Sequence, residues 1–183
     1  WLAANHHRGV VTVNGQWPGQ PAHVVSFHNP SLTDDELVAG RAAAAGKRLS
    51  SPLVLLTVGA LNDSKGTGRA LQIAAALQQR GVTCQLHVLG DGPDRPRYEA
   101  WVAEQGLRGV TFHGWVSPAE VGRFDAAAHF ILHPSLSEGW PKVLSEAMAY
   151  GAVPITSAVS SIPQILATSG TGVALPPQDV DGM

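Results

Sequence analysis

The sequence predicts an α/β domain: a parallel sheet of about six strands with helices on both faces. Three observations predict it. From Pro52 onward, short apolar runs alternate with longer segments of helical period, the βαβα rhythm of a parallel sheet. The runs are mostly apolar on both faces, as strands covered from either side must be. Several helix boundaries carry their own chemistry. Ser117-Pro118-Ala119-Glu120 supplies an N-cap, a proline in the first turn and a reciprocal glutamate, and Gly81 and Gly151 suit the positions just past two helix ends.

Strands are expected at Leu53 to Val58, Cys84 to Leu89, Val110 to His113, His129 to Leu132, Val153 to Thr156 and Val173 to Leu175. Helices are expected at Gly66 to Arg80, Arg95 to Gln105, Pro118 to Ala128, Pro141 to Tyr150 and Ile162 to Ala167. A further capping box, Thr33-Asp34-Asp35-Glu36, opens a helix ending near Arg48, whose Ala42 to Ala45 run reads as helix surface. Before it, Val10 to Val13 and His23 to Phe27 are two strand candidates around a turn-rich segment.

The bulk numbers bound the function. A chain of 183 residues fits one domain. With 44% hydrophobic and 14% charged residues it has a core to bury and is no disordered tail. A net charge of −2, with 12 basic residues dispersed along the chain, offers no footprint for nucleic acid. No apolar run approaches the roughly 20 residues needed to cross a bilayer. The single cysteine, Cys84, is expected to be a buried, inert thiol in a reducing, cytoplasmic setting. The first residue is Trp1, with no signal peptide in view, so the start reads as a cut within a longer chain.

In a parallel α/β sheet, ligands bind outside the carboxyl ends of the strands. Two loops there carry chemistry. Gly59-Ala60-Leu61-Asn62-Asp63-Ser64-Lys65-Gly66 puts a lysine where a helix begins, and free N–H groups, the positive helix end and the ammonium all favour a phosphate. The second loop, Pro134 to Met148, carries Glu138 in the loop and Glu146 on the following helix, about 12 Å apart if the stretch rises as a helix. Two separated carboxylates suit an extended ligand with hydroxyls at both ends. As bare spacing, one capping and one surface glutamate would explain the pattern equally well.

In context, Glu138 to Glu146 matches the form S-x-x-E-G-x-P-x-x-x-x-E-A, and the chain resembles retaining GT-B glycosyltransferases of the family 4 type. The resemblance runs from about Leu53 to the C-terminus and includes Val58 to Gly66, Gly90-Asp91-Gly92-Pro93 and Val110 to Val116. It implies a Rossmann-like, nucleotide-sugar-binding domain over residues 51–183, truncated at its C-terminus, with residues 1–50 as a linker and remnant of an acceptor-binding N-terminal domain that the chain lacks. Carried over residue by residue, Glu138 is implied as the catalytic residue that holds the donor sugar. Glu146 would bind the ribose hydroxyls and Lys65 the diphosphate. Gly59, Gly139, Trp140, Pro141, Lys142 and Val143 would line the donor site, and Val116 would lie beside the base. The resemblance implies no cofactor and no metal, with Asp179-Val180-Asp181 incidental. It admits a peripheral association of the intact protein with the inner face of a membrane.

One departure matters: the family places arginine where this chain has Ala60, which removes one positive charge from the diphosphate. Arg69, one helical turn beyond Lys65, is the candidate replacement. Two rival readings therefore stand beside the transferase: a nonenzymatic or degenerate nucleotide-sugar-binding domain, and a GT-B-like sugar-nucleotide epimerase. His129 and His133 read as ordinary strand histidines, although His133 ends its strand beside the glutamate loop.

Overall fold

The computed structural model describes residues 9–27 and 32–177; Asp179 and Asp181 lie outside them. Six strands form one parallel sheet: β3 (Leu53–Val58), β4 (Cys84–Leu89), β5 (Val110–Gly114), β6 (Phe130–His133), β7 (Val153–Ser157) and β8 (Val173–Leu175), in the order β5-β4-β3-β6-β7-β8. The chain winds outward from β3 to one edge, then crosses back to β6 on the other side of β3. The topological switch point therefore lies between β3 and β6, which pair directly at Leu55 with Phe130 and Leu56 with Ile131. In doubly wound sheets this is the crevice that receives the ligand.

Alternation along the strands divides the core into two layers. Leu55, Leu86, Val88 and Leu132 face one way, toward α2 (Thr67–Gln79) and α3 (Arg95–Glu104). Leu56, Leu89 and Ile131 face the other, toward α4 (Pro118–Ala127), α5 (Lys142–Ala149) and α6 (Ile162–Ser169). Each of these leucines is at most 1% exposed, so truncating one to alanine removes buried contacts that the neighbours only partly recover. Cys84 belongs to the first layer, where burial raises its thiol pKa, as expected of an inert side chain.

Every expected element is present, with small shifts at the ends. The clearest is β6, which begins one residue late. His129 turns its ring inward and accepts the Val54 N–H at Nδ1 (2.9 Å) while Nε2 donates to the Arg48 carbonyl (3.0 Å). A side chain thus takes a backbone partner at the strand's start. Gly81 and Gly151 both adopt φ of +78° beyond their helices, as their positions predict.

The N-terminal segment forms β1 (Val11–Val13) and β2 (Val24–Ser26), a separate parallel pair. It touches the main domain where Gln164 on α6 exchanges bonds with the Gln16 backbone, at 2.9 and 2.8 Å. Helix α1 (Asp34–Gly46) carries the expected capping box, with Thr33 N donating to Glu36 Oε2 at 2.7 Å. It packs on α4 and α5. Gly40 is buried against the Ala149 carbonyl, and Ala44 one turn later meets Gly151, so part of the alanine run is contact surface rather than wholly solvent-facing.

Ser160, in the loop after β7, has a left-handed φ of +49° without being glycine. Such a residue costs roughly 1 kcal/mol or more. Ser160→Gly is expected to raise stability by about 1 kcal/mol, measurable as a higher urea midpoint at unchanged slope. Among the described residues, no helix is long and apolar enough to cross a membrane.

Candidate functional site

The loop after β3 ends in a short 3-10 turn, Asp63–Lys65. Asn62 Oδ1 caps it by accepting the Lys65 N–H at 2.9 Å, and Tyr98 and Arg97 from α3 hold Asp63 Oδ1, the tyrosine at 3.0 Å. Gly66 then turns left-handed, at φ +84°, into α2. An added Cβ there would overlap the Pro134 carbonyl of the loop after β6. The two loops at the switch point are therefore in backbone contact, and only glycine permits it. Leu136 N donates to the Ser64 carbonyl at 2.9 Å, tying the same loops again.

That contact sets Lys65 against Glu138. The ammonium lies 2.7 Å from Glu138 Oε1, and His133 Nε2, at the end of β6, lies 3.0 Å from the same oxygen. The glutamate side chain is 10% exposed and the histidine 4%. Burial works to raise the Glu138 pKa, but the hydrogen bonds from His133 and Lys65 outweigh it and carry the pKa down to about 2. Glu138 is thus a fixed carboxylate, oriented by two donors. The stability this contributes is present above the ordinary carboxylate range and is lost only as pH falls toward 2.

A second cluster lies along α4 and α5. Glu146, Val116 and Val58 line a pocket with Asp125, Glu36 and the exposed Trp115. An adjoining recess, formed by Gly59, Ala60, Gly90 and Asp91, shares Val58, Trp115 and Val116 as walls. Burial raises the Glu146 pKa, offset by Lys142 and reinforced by Glu36. Asp125 is buried, at 2% exposure. Desolvation, with the Glu146 charge adding to it and Lys47 opposing it, raises its pKa to about 7.

The sign for Asp125 is opposite to that for Glu138. Its folded pKa stands above the unfolded value, so its contribution to stability is complete below pH 4 and is lost as pH rises to 7. The loss is on the order of 4 kcal/mol. Asp125→Asn removes it, and the melting temperature of the variant is expected to gain on wild type progressively from pH 5 to pH 8.

The remaining expected site residues divide by environment. Gly139 is exposed and lies against the Asn14 side chain of the N-terminal segment, and its carbonyl accepts from Ser161 Oγ at 3.0 Å. Trp140 and Val143 pack on the second core layer, and the Trp140 indole donates to Ser145 Oγ at 2.7 Å. Pro141 is buried and Lys142 exposed. Arg69 does not replace the missing arginine. Its guanidinium donates to the Pro134 carbonyl at 2.7 Å and the Asp63 carbonyl at 3.1 Å, so it fastens the two loops together from behind. Helices α1 and α4 have capping boxes, whereas α2 and α5, which open toward the switch point, have no side-chain cap. The same holds of α3 and α6, and a helix without a side-chain cap leaves its first N–H groups for another partner.

Lys65 and Glu138 lie beyond the strand ends and Glu146 on the helix that follows, the local positions expected from the sequence. Sequence reasoning did not find Asp125, whose signal was its helical spacing, four residues past Val121, on the inner face of α4. It noted His133 beside the loop without assigning it a bond to Glu138.

Residues 43–183 match the family described as glycosyl transferases group 1. The chain belongs to that family. It is 27% identical over 165 residues to alpha-D-kanosaminyltransferase of Streptomyces kanamyceticus, covering 88% of this chain and 43% of that protein. It is 31% identical to the apo lipopolysaccharide outer core galactosyltransferase WaaB, with a TM-score of 0.63 over 72% of this chain and 38% of that one. Against sucrose-phosphate synthase of Thermosynechococcus elongatus the TM-score is 0.69 at 26% identity, over 94% of this chain and 46% of that one. The fold is accordingly half of a GT-B glycosyltransferase, and the chain spans less than half the length of these relatives.

Proposed function

We propose that the intact protein transfers a sugar from a nucleoside diphosphate sugar to an acceptor with retention of configuration, as a family 4 type enzyme, and that this chain supplies the donor site. The observation that carries the reading is the Lys65–Glu138–His133 arrangement at the switch point of the sheet. Donor nucleotides in such folds cross this crevice. Here it offers a cation, a fixed carboxylate and two uncapped helix ends in sequence.

In this reading the nucleoside occupies the pocket of Glu146 and Val116, with Glu146 accepting from the ribose hydroxyls. The diphosphate passes Gly59 toward Lys65 and the N-termini of α2 and α5. The sugar lies against Glu138, whose Oε1 is engaged by protein donors and whose Oε2 is left to meet sugar hydroxyls. Gly139 to Val143 form the adjoining wall. As the acceptor hydroxyl oxygen bonds to the anomeric carbon, the sugar–phosphate bond breaks on the same face and the hydroxyl proton passes to the departing diphosphate. Lys65 and the helix ends stabilise the charge on the departing diphosphate, the step at which fixed electrostatics act most strongly. The scheme is metal-independent. Residues 1–50 belong to a linker and the remnant of an acceptor-binding domain, and the enzyme works in the cytoplasm.

One observation favours a second reading. Ala60 lines the recess beside Gly59 without the positive charge that the diphosphate calls for, which fits a domain that binds donor without transferring it. Product analysis on the intact protein separates these readings. Transfer to acceptor with retained anomeric configuration supports the proposal. Binding without any product supports the nonenzymatic domain, and an altered free donor without acceptor supports an epimerase.

A further inference from the structure

The pocket that holds Glu146 contains another carboxyl, one that the donor reading leaves unused. Asp125 sits on the inner face of α4 and lines this pocket at 2% exposure. Its Oδ1 is buried and has no hydrogen-bond partner. Folded proteins leave few such atoms, because stripping a polar group of water without replacing its bonds is costly.

The protein does not supply the missing partner. Lys47, at the end of α1, gives its ammonium to the backbone carbonyls of Asp125 and Ala128, at 2.9 and 2.6 Å. The other titratable groups facing the pocket are Glu36 from α1 and Glu146 and Tyr150 from α5 and its end. From β3 the pocket receives the apolar Val58. Three carboxyls, Asp125, Glu146 and Glu36, face this pocket, and burial together with the Glu146 charge favours a proton on the most deeply buried of them. That group is Asp125, buried at 2% exposure where Glu146 is half-buried.

We propose that Asp125 is a further binding residue for the nucleoside of the donor: its carboxyl closes the floor of the pocket and exchanges hydrogen bonds with the nucleoside when a nucleotide enters. The inference rests on the donor-site reading above. A neutral carboxyl presents one donor and one acceptor side by side, which complements the paired N–H and C=O, or paired hydroxyls, of a nucleoside. A carboxylate presents acceptors only, and its charge would add to that of Glu146. Nucleotide binding therefore favours the protonated form and weakens as pH rises through 7.

The test is calorimetric titration of the 183-residue chain with UDP, GDP and ADP from pH 5.5 to 8.5, on wild type, Asp125→Asn and Asp125→Ala, each first shown to melt cooperatively. The terminal phosphate of every probe also titrates, near 6, so the readout is the difference between variant and wild-type profiles. Asp125→Asn keeps a neutral donor and acceptor. It is expected to bind within about threefold of wild type at pH 6 and to gain on it by up to about tenfold per pH unit above 7. Asp125→Ala is expected to bind about tenfold more weakly than wild type at pH 6, the loss of roughly one buried hydrogen bond. Profiles that run parallel, with the alanine variant binding as tightly as wild type, would overturn the inference and leave the donor reading standing. Failure of wild type to bind any of the three probes at any pH would overturn both.

Discussion

Glu138→Gln in the intact protein is expected to lower the rate of sugar transfer by about two to three orders of magnitude while nucleotide affinity changes only a few-fold. Wild-type Glu138, its pKa carried down to about 2, is a carboxylate near neutral pH and is fixed by Lys65 at 2.7 Å and His133 at 3.0 Å. The amide keeps the shape but carries no charge, and so loses both charge-assisted bonds. Lys65 is then no longer held beside the sugar. The nucleoside end is untouched, because Glu146 and Val116 lie in the other cluster. The effect should appear in kcat with little change in the dissociation constant of the product nucleotide, a split that distinguishes a role in transfer from a role in binding. Equal losses in both, with an intact fold, would place Glu138 in binding alone.

The second large effect is structural. Gly66→Ala is expected to destabilise the chain by about 3 kcal/mol or more, lowering the melting temperature by roughly 6 to 12 °C. Two penalties combine. The left-handed φ of +84° costs any residue with a Cβ about 1–2 kcal/mol. The new methyl would also overlap the Pro134 carbonyl, forcing apart the loops that set Lys65 against Glu138. Gly81→Ala is the control. Its φ is nearly the same, at +78°, and its Cβ would meet open space, so it should lose only the first penalty. If both variants melt together, the loop contact contributes nothing to stability.

The sheet was legible in the sequence because parallel strands covered on both faces are mostly apolar runs, as at Leu53–Val58 and, despite Gln85 and His87, at Cys84–Leu89. The positions of Lys65 and Glu138 beyond the strand ends, and of Glu146 on the next helix, were legible from the strand-to-helix rhythm, whereas their expected roles came from the family resemblance. What was not legible depends on side chains finding partners distant in sequence. Arg69 stands one turn beyond Lys65 and looked free to reach a phosphate, yet carbonyls at Pro134 and Asp63 claim it. His129 looked like the first residue of a strand, but its ring takes over a backbone partner of Val54. Asp125 was not singled out in the sequence, because its burial depends on the docking of α1 and α5 against α4.

In the donor reading one nucleotide spans both clusters, from Glu146 to Lys65. Titration of the chain with UDP, GDP and ADP, comparing wild type with Glu146→Ala and Lys65→Ala, distinguishes this from two separate sites. Saturable binding of one nucleotide is expected, weakened about tenfold or more by each substitution. The corresponding nucleoside without its diphosphate should feel only the loss of Glu146. Binding that is indifferent to both substitutions, or no binding at millimolar nucleotide by the folded wild-type chain, would contradict the donor reading.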